Sequence, residues 1–469
     1  MLLEYFYDEK LAHASYLVGC QETRKAIVID PMRNIDPYIE SCKRRGYEIA
    51  GAFETHIHAD FVSGIRELHE HGAELYLSDE GDIDCKYQNI NHLNVRLVQD
   101  KDMIYIGTLK FTVIHTPGHT PESISILLTD ISDSNDIPIG IFTGDFVFVN
   151  DIGRSDIMES ITGLSDYSET CARQMYSSLQ KLKELPDYLQ IWPAHGAGSA
   201  CGRDLGDIPS TTVGYEKRLN WAFKIEEEKD FLFTLHEYNT ELPNYFTNIK
   251  LVNKVGQKLL KHVHCIREYT ASHEIEELVE SGAQVIDTRD THCYSLGHIK
   301  GTINVPFNRS FCNWIGWLIN YSRPVYVLVE DIKVLESIKI ALYSVGVDNL
   351  KGYALNRKVI YNNHKLITYN SITPKQAKKL IDTQDAYILD VRSFSEREKS
   401  HIIQSHHIML GNLPSRIKEL EFNEPVIVQC ATGIRSGIAV SILLANGIEN
   451  VYNLSGGLSQ WEKDLSNVT

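Results

Sequence analysis

Short runs of β-branched and aromatic residues, broken by Gly, Pro and Asp, dominate the first 150 positions of the chain. AHASYLVG, KAIVIDP, YEIAGAFETH, LKFTVIHTP, SISILLT and IGIFTGDF each have the length and composition of a strand. Between them, apolar residues at helical spacing predict helices from about Asp36 to Arg45 and from about Asp60 to His71. Residues 165 to 230 read as mainly helical, interrupted by the strand-like LQIWPAH. Two sheet layers flanked by helices would bury these strand faces economically.

From about residue 270 the pattern changes and an internal repeat appears. VIDTRDTHCYSLGHI at 285–299 matches YILDVRSFSEREKSHI at 387–402, pairing Asp287 with Asp390, Arg289 with Arg392 and His298 with His401. Further on, Pro324-Val325 aligns with Pro425-Val426 and Gly346 with Gly447, an offset two residues shorter, as a loop deletion produces. Each copy reads helix, buried strand, loop, buried strand, helix, which predicts a small parallel α/β sheet.

The length of 469 residues allows about three domains at roughly 150 residues each. A net charge of −16 argues against a nucleic-acid partner, which needs a basic face. There is no apolar run of the roughly 20 residues a membrane span needs, and the acidic start MLLEYFYDEK is not a signal peptide. Nine cysteines, scattered singly, form neither a zinc pattern nor a disulfide framework. The expected compartment is the reducing cytoplasm.

Candidate chemistry starts at the strand ends. Thr55-His56-Ile57-His58-Ala59-Asp60 follows the strand IAGAFE; His119 sits in HTPGHTPES, Asp145 ends GIFTGD, and His195 ends LQIWPAH. Four strand ends that each finish in a metal-ligand residue type point to one metal centre. In order and spacing these residues resemble the metallo-β-lactamase fold, over roughly the first 200 positions. That family's usual cluster is HxHxDH, and here Phe61 replaces the last histidine. Phenylalanine cannot ligate, which favours one metal over the zinc pair of the hydrolases. Two imidazoles and one carboxylate with open positions suit non-haem Fe(II) that must bind O2 and a substrate. The chain resembles the persulfide dioxygenase branch, and the resemblance implies His56, His119 and Asp145 as ligands of one Fe(II) per chain. It leaves His58, Asp60 and His195 to orient ligands and carry protons, with direct ligation of zinc by these three as the alternative. VNDIGRSD is similar to that family's Gly-Arg-x-Asp segment, in which Arg154 would bind the carrier thiol of the substrate. The family commonly has Phe where this chain has Ile157, and a structural ion pair of Arg154 with Asp156 or Asp151 is the alternative reading.

Cys430-Ala431-Thr432-Gly433-Ile434-Arg435-Ser436 lies between the buried strand PVIVQ and the helix GIAVSILLA. Such a loop aims backbone N–H groups and a helix N-terminus at the thiol, where Arg435 would further stabilise a thiolate or persulfide and Gly433 would meet substrate. With Asp390-Val391-Arg392 upstream and Gly456-Gly457 and Trp461 downstream, this copy resembles the rhodanese sulfurtransferases. The first copy has Val329 opposite Cys430, followed by Glu330-Asp331, and is read as a pseudo-rhodanese without a nucleophile. Cys201, six residues beyond His195, is a candidate to hold or relay a persulfide, and Cys20 a weaker one.

The expected fold is therefore α/β: an αββα metallo-β-lactamase sandwich over 1–265, a pseudo-rhodanese over 266–365 and a rhodanese over 366–469. By resemblance to bacterial sulfide-detoxifying fusions, a low-molecular-weight persulfide and O2 would give sulfite, which the rhodanese converts to thiosulfate. Association of chains into a homo-oligomer is implied in the same way. The rival readings are a glyoxalase II-like zinc thioesterase and a non-catalytic carrier of sulfane sulfur.

Overall fold

A computed structural model describes residues 1–469 apart from 133–134, 163–165, 204, 237–240, 264–265, 362, 364, 385, 421–423 and 466–469. Cys265, and with it the expected boundary at 265, lies outside the described residues. The chain forms two compact units: Met1–His262 with Tyr343–Gly346, and Val263–Leu342 with Val347–Thr469.

In the first unit, β1 (Leu2–Asp8), β2 (His13–Gly19), β3 (Lys25–Ile29), β4 (Glu48–Phe53), β5 (Glu74–Ser78) and β6 (Val95–Val98) make one sheet in chain order. A second sheet has the order β12-β11-β10-β9-β8-β7. Its strands are β7 (Met103–Ile106), β8 (Leu109–His115), β9 (Ile124–Asp130), β10 (Pro138–Gly144), β11 (Gln190–Pro193) and β12 (Thr211–Thr212). β2 is buried along its whole length and divides its side chains between two cores. Tyr16 and Val18 meet Phe111, Ile126 and Phe142 of the second sheet, while Leu17 packs with Val28, Tyr38 and Leu68 under the helices. On the far face, Ile141 and Ile191 pack against Met175 and Leu179 of the helix Asp166–Lys183. The result is the expected αββα sandwich.

One helix departs from its sequence pattern. The helix expected from Asp60 begins only at Ile65 and ends at Glu70. The backbone before it is engaged elsewhere: Glu122 accepts from Ile57 N–H, and Asn253 binds His58 C=O, Phe61 C=O and Ser63 N–H. Groups committed to side chains cannot also close a helical turn. Helix Asp36–Arg45 has its expected bounds, with Pro37 in the first turn and Gly46 closing it at φ 71°.

The second unit holds two five-stranded parallel sheets of the same order. One is β13-β17-β16-β14-β15, from Arg267–Tyr269, Gln284–Asp287, Ile303–Asn304, Val325–Val329 and Leu350–Leu355 taken as β13 to β17 in chain order. The other is β18-β22-β21-β19-β20, from Asn370–Ile372, Tyr387–Asp390, His406–His407, Val426–Gln429 and Val451–Leu454 taken as β18 to β22. The repeated Asp-x-Arg has one job in both copies. Arg289 and Arg392 each bond the preceding Asp at 2.7 Å and reach on to a loop carbonyl, Gly297 and Ser400 respectively. Among the described residues no helix is long and apolar enough to cross a membrane.

Candidate functional site

The strand ends of the first unit converge as the sequence implied. His56, His119 and Asp145 offer donor atoms within 4.8 Å of one another, and Asp60, His195 and Cys201 form a second such set. All six are buried. Asp145 lies between the sets: Oδ2 is 3.3 Å from His119 Nε2 and 3.9 Å from His56 Nε2, while Oδ1 is 3.3 Å from His195 Nε2. Asp60 Oδ2 is 3.3 Å from the same nitrogen. His56 Nε2, His195 Nε2 and all four oxygens of Asp60 and Asp145 lack a hydrogen-bond partner. An orphaned buried polar group costs about 1–3 kcal/mol, and a charged one more. So many converging on one point fit a bound cation, which would satisfy them together.

The surroundings also fix the imidazole tautomers. His119 Nδ1–H donates to Arg154 C=O at 2.8 Å, and His195 Nδ1–H to Ala12 C=O at 3.0 Å. Thr55 Oγ1 gives its only hydrogen to Asp30 Oδ2, so at 3.0 Å it accepts from His56 Nδ1–H. In all three rings the Nε2 lone pair is left facing the centre, as a metal ligand requires. Burial, with His58 beside His56 and Lys250 beside His119, holds both imidazoles well below the usual histidine range. Burial pushes the Asp145 carboxyl up to about 6, against the pull of His195.

His58 behaves differently. Its Nε2 bonds Asp30 Oδ1 at 3.1 Å, and it belongs to neither donor set. Burial opposes its charge, but Asp30, then Glu54 and Asp60, raise its pKa to about 9. Phe61 is fully buried, its ring centroid 3.9 Å from His13 and 4.5 Å from His58. Phe61 cannot ligate, yet the second donor set is not left short of a third group. Cys201, expected only as a sulfur carrier, supplies a third donor beside Asp60 and His195. Burial, then Asp60 and Asp145, push its thiol well above the usual range. Cys20, by contrast, lies in the core between the sheets.

Several residues that build this centre escaped the sequence reading. Asp30 orients Thr55 and His58, although it ends the strand KAIVID just as Asp145 ends its own. His13, buried with neither ring nitrogen bonded, stands 5.7 Å from His195 between ring centroids. Lys250 Nζ, on the helix Tyr245–Val255, donates to Ile57 C=O and Glu122 at 2.9 Å each. Asn253, on the same helix, makes the three backbone bonds to the His58–Ser63 loop. Asn253→Ala would orphan two carbonyls and one N–H, so a loss of about 3 kcal/mol or more is expected in urea unfolding of the full chain. Metal affinity should weaken about 10–100-fold, measured by competition with a chelator.

Arg154 is paired with Asp156. Nε and Nη2 bond the two oxygens of Asp156 at 2.6 and 2.7 Å, and Nη1 donates to Ala200 C=O at 3.3 Å. Asp151 is engaged instead by Arg203 N–H and Trp221 Nε1.

In the second unit, Cys430 follows the buried β21 and its loop turns at Gly433, whose φ of 103° suits glycine. Gly433 N–H donates to Cys430 Sγ at 3.1 Å. Ser436 Oγ is 3.4 Å from Sγ but 2.6 Å from Asn453 Oδ1, so its one hydrogen goes to the shorter acceptor. Gly457 lets the loop fit, since a Cβ there would stand 2.2 Å from Cys430 C=O. The expectation that Arg435 faces the thiol meets a competing partner: Nη1 and Nη2 bond Glu396 at 2.6 and 2.7 Å. Burial disfavours that carboxylate, yet Arg435 holds it down at about 2. In the first copy Val329 ends β16, and Glu330 accepts from Tyr361 Oη where the thiol loop would run.

Residues 373–464 match the rhodanese-like domain family. The chain is 41% identical to a metallo-beta-lactamase from Staphylococcus aureus subsp. aureus COL, whose crystal structure covers 76% of this chain and 98% of its own with a TM-score of 0.68. The mitochondrial persulfide dioxygenase ETHE1 of Bos taurus is 26% identical over 248 residues, 52% of this chain and 84% of that protein. A hydroxyacylglutathione hydrolase of Gloeobacter violaceus is 32% identical over 184 residues, 38% of this chain and 62% of that protein. With the αββα sandwich, the 41% likeness makes the chain a member of the metallo-β-lactamase family, with a rhodanese-like domain over residues 373–464.

Proposed function

We propose that the chain oxidises a low-molecular-weight persulfide at a single Fe(II) and passes sulfane sulfur through Cys430 to make thiosulfate. The observation that carries the reading is the set His56, His119 and Asp145, whose two imidazoles and one carboxylate converge from three separate loops. That is the donor set of non-haem iron oxygen chemistry. Held by these three residues, iron(II) would supply the redox chemistry that lets O2 react with a persulfide sulfur. In the overall reaction a persulfide RSSH, O2 and water give RSH, sulfite and two protons.

The chain's own residues do the rest. Arg154 C=O, Thr55 and Asp30 hold the ligand imidazoles in the tautomer that points Nε2 inward. Phe61, His13 and Phe148 surround the ring of His195 or His58 and keep that flank poor in water. Asp60 Oδ2 and His195 Nε2 face each other at 3.3 Å without a hydrogen between them, so either can take up a proton released as sulfite forms. Arg154, its guanidinium held by Asp156, would contact the carrier thiol of the substrate. At the other site Cys430 takes a sulfane sulfur from a second persulfide, Gly433 N–H stabilises the sulfur anion, and sulfite accepts the sulfur. The division into dioxygenase, silent copy and rhodanese, the cytoplasmic setting and the homo-oligomer belong to the same proposal.

The hydroxyacylglutathione hydrolase likeness makes a zinc thioesterase the competing reading. Protein purified without oxygen should contain about one iron per chain by elemental analysis, and an oxygen electrode should record O2 uptake on addition of glutathione persulfide. Two zinc ions per chain, with no O2 uptake and release of thiol from a thioester, would replace this reading with the rival.

A further inference from the structure

Beside the Cys430 loop is a cavity of about 380 Å³ whose wall is built by both sheet copies. The rhodanese copy contributes Gly433, Ile434 and Asn453, and the silent copy contributes Asp290, His292 and Asn308. Gly433 connects the cavity to the chemistry, since its N–H bonds the Cys430 sulfur. A volume of this size is within the usual range for a small-molecule site.

Two contacts make the shared wall a fixed feature. Asn304 N–H, at the end of β15, donates to Ser441 Oγ at 3.0 Å, and both residues are fully buried. Ser441 lies on the helix Ile434–Ala445, which begins at the thiol loop. One turn nearer the loop, Gly437 is so close to the silent copy that a Cβ would come within 1.9 Å of Thr291 Cγ2. Thr291 is flanked by Asp290 and His292, so this packing holds both against the cavity.

The lining also has a definite charge. Among the described residues that line the cavity there is no lysine or arginine, whereas Asp290 brings a carboxylate and the others are hydroxyls, amides, glycines, one imidazole and the apolar Pro306 and Ile434. One oxygen of Asp290 accepts from Cys293 N–H at 2.9 Å, which fixes the side chain as the cap of the helix Thr291–Leu296. The Asp290 side of the wall attracts an ammonium group and repels a phosphate, while the N-terminus of the helix Ile434–Ala445 favours the sulfur anion at Cys430.

We propose that the silent copy completes the substrate pocket of Cys430, and that Asp290 there selects persulfides carried by a small ammonium-bearing thiol over those carried by a phosphate-bearing one. This deepens the sulfurtransferase reading above and rests on it. In the step concerned, Cys430 thiolate attacks the terminal sulfur of RSSH. The Sγ–S bond forms, the S–S bond of the carrier breaks, and the carrier leaves as thiolate RS⁻ while Cys430 holds S–SH. Charge and electrons balance without another reactant.

The test follows persulfidation of Cys430 in the full chain by peptide mass, without oxygen, with cysteine persulfide and coenzyme A persulfide as donors. Wild-type protein should be labelled by cysteine persulfide with the larger second-order rate constant. Asp290→Asn keeps a residue equally good as a helix cap, and should lower that constant for cysteine persulfide about 3- to 5-fold, the value of one partly exposed ion pair. For coenzyme A persulfide it should not fall. The same change for both donors, or none for either, overturns the pocket assignment alone. Failure of both donors to label Cys430 in the wild type would overturn the sulfurtransferase reading, and the pocket with it.

Discussion

A His119→Ala chain is expected to lose its iron and, with it, O2 uptake with a persulfide, by more than about 100-fold. The estimate is a lower bound, because changes to residues that only orient metal ligands already cost about 10–100-fold. His119 is one of three donors in its set, and its Nδ1–H is anchored on Arg154 C=O, which turns Nε2 toward the other two. Unfolding is not the expected cause. In the metal-free state the centre is a cluster of buried groups without partners, which is a burden on stability, and deleting one imidazole does not add to it. The metal-free variant should therefore melt within a few degrees of metal-free wild type, while iron raises the melting temperature of the wild type alone. Metal analysis, an oxygen electrode and calorimetry on both proteins check the three parts. Retained O2 uptake with full iron would remove His119 from the ligand set.

The second large effect is expected at Cys430. Cys430→Ser should lower thiosulfate formation from persulfide and O2 by at least about 100-fold, as the loss of an activated nucleophile does in other enzymes. Sulfite should accumulate in its place, because His56, His119 and Asp145 are unaltered. Serine keeps the size of the side chain in a fully packed position, so the loop and the bond from Gly433 N–H have no reason to move. Product analysis by ion chromatography distinguishes the cases. An unchanged thiosulfate yield would mean that sulfite meets persulfide without the rhodanese copy.

Some parts of this molecule could be read from local pattern and others could not. The strand-end residues His56, His119, Asp145 and His195 stood out because polar ligand types at the ends of apolar runs break the period. The two parallel sheets were legible because the Asp-x-Arg pair recurs at fixed offset, and in the structure that pair ties a strand to the loop after it in both copies. Lys250 and Asn253 had no local signal at all. They lie one turn apart on an ordinary helix, and their meaning comes from a loop about 190 residues earlier. Cys201 and Arg435 show the complementary limit. Sequence placed each near the right chemistry, but their partners, Asp60 with His195 and Glu396, depend on how distant loops are brought together.

The grip of the helix Tyr245–Val255 on the His56–Ser63 loop also has a consequence for biosynthesis. His58 and Asn253 are 195 positions apart, so at ribosomal rates the clamp is made roughly 10–40 s after the loop it holds. The loop that presents His56 and Asp60 therefore takes its final shape only after the helix Tyr245–Val255 has left the ribosome.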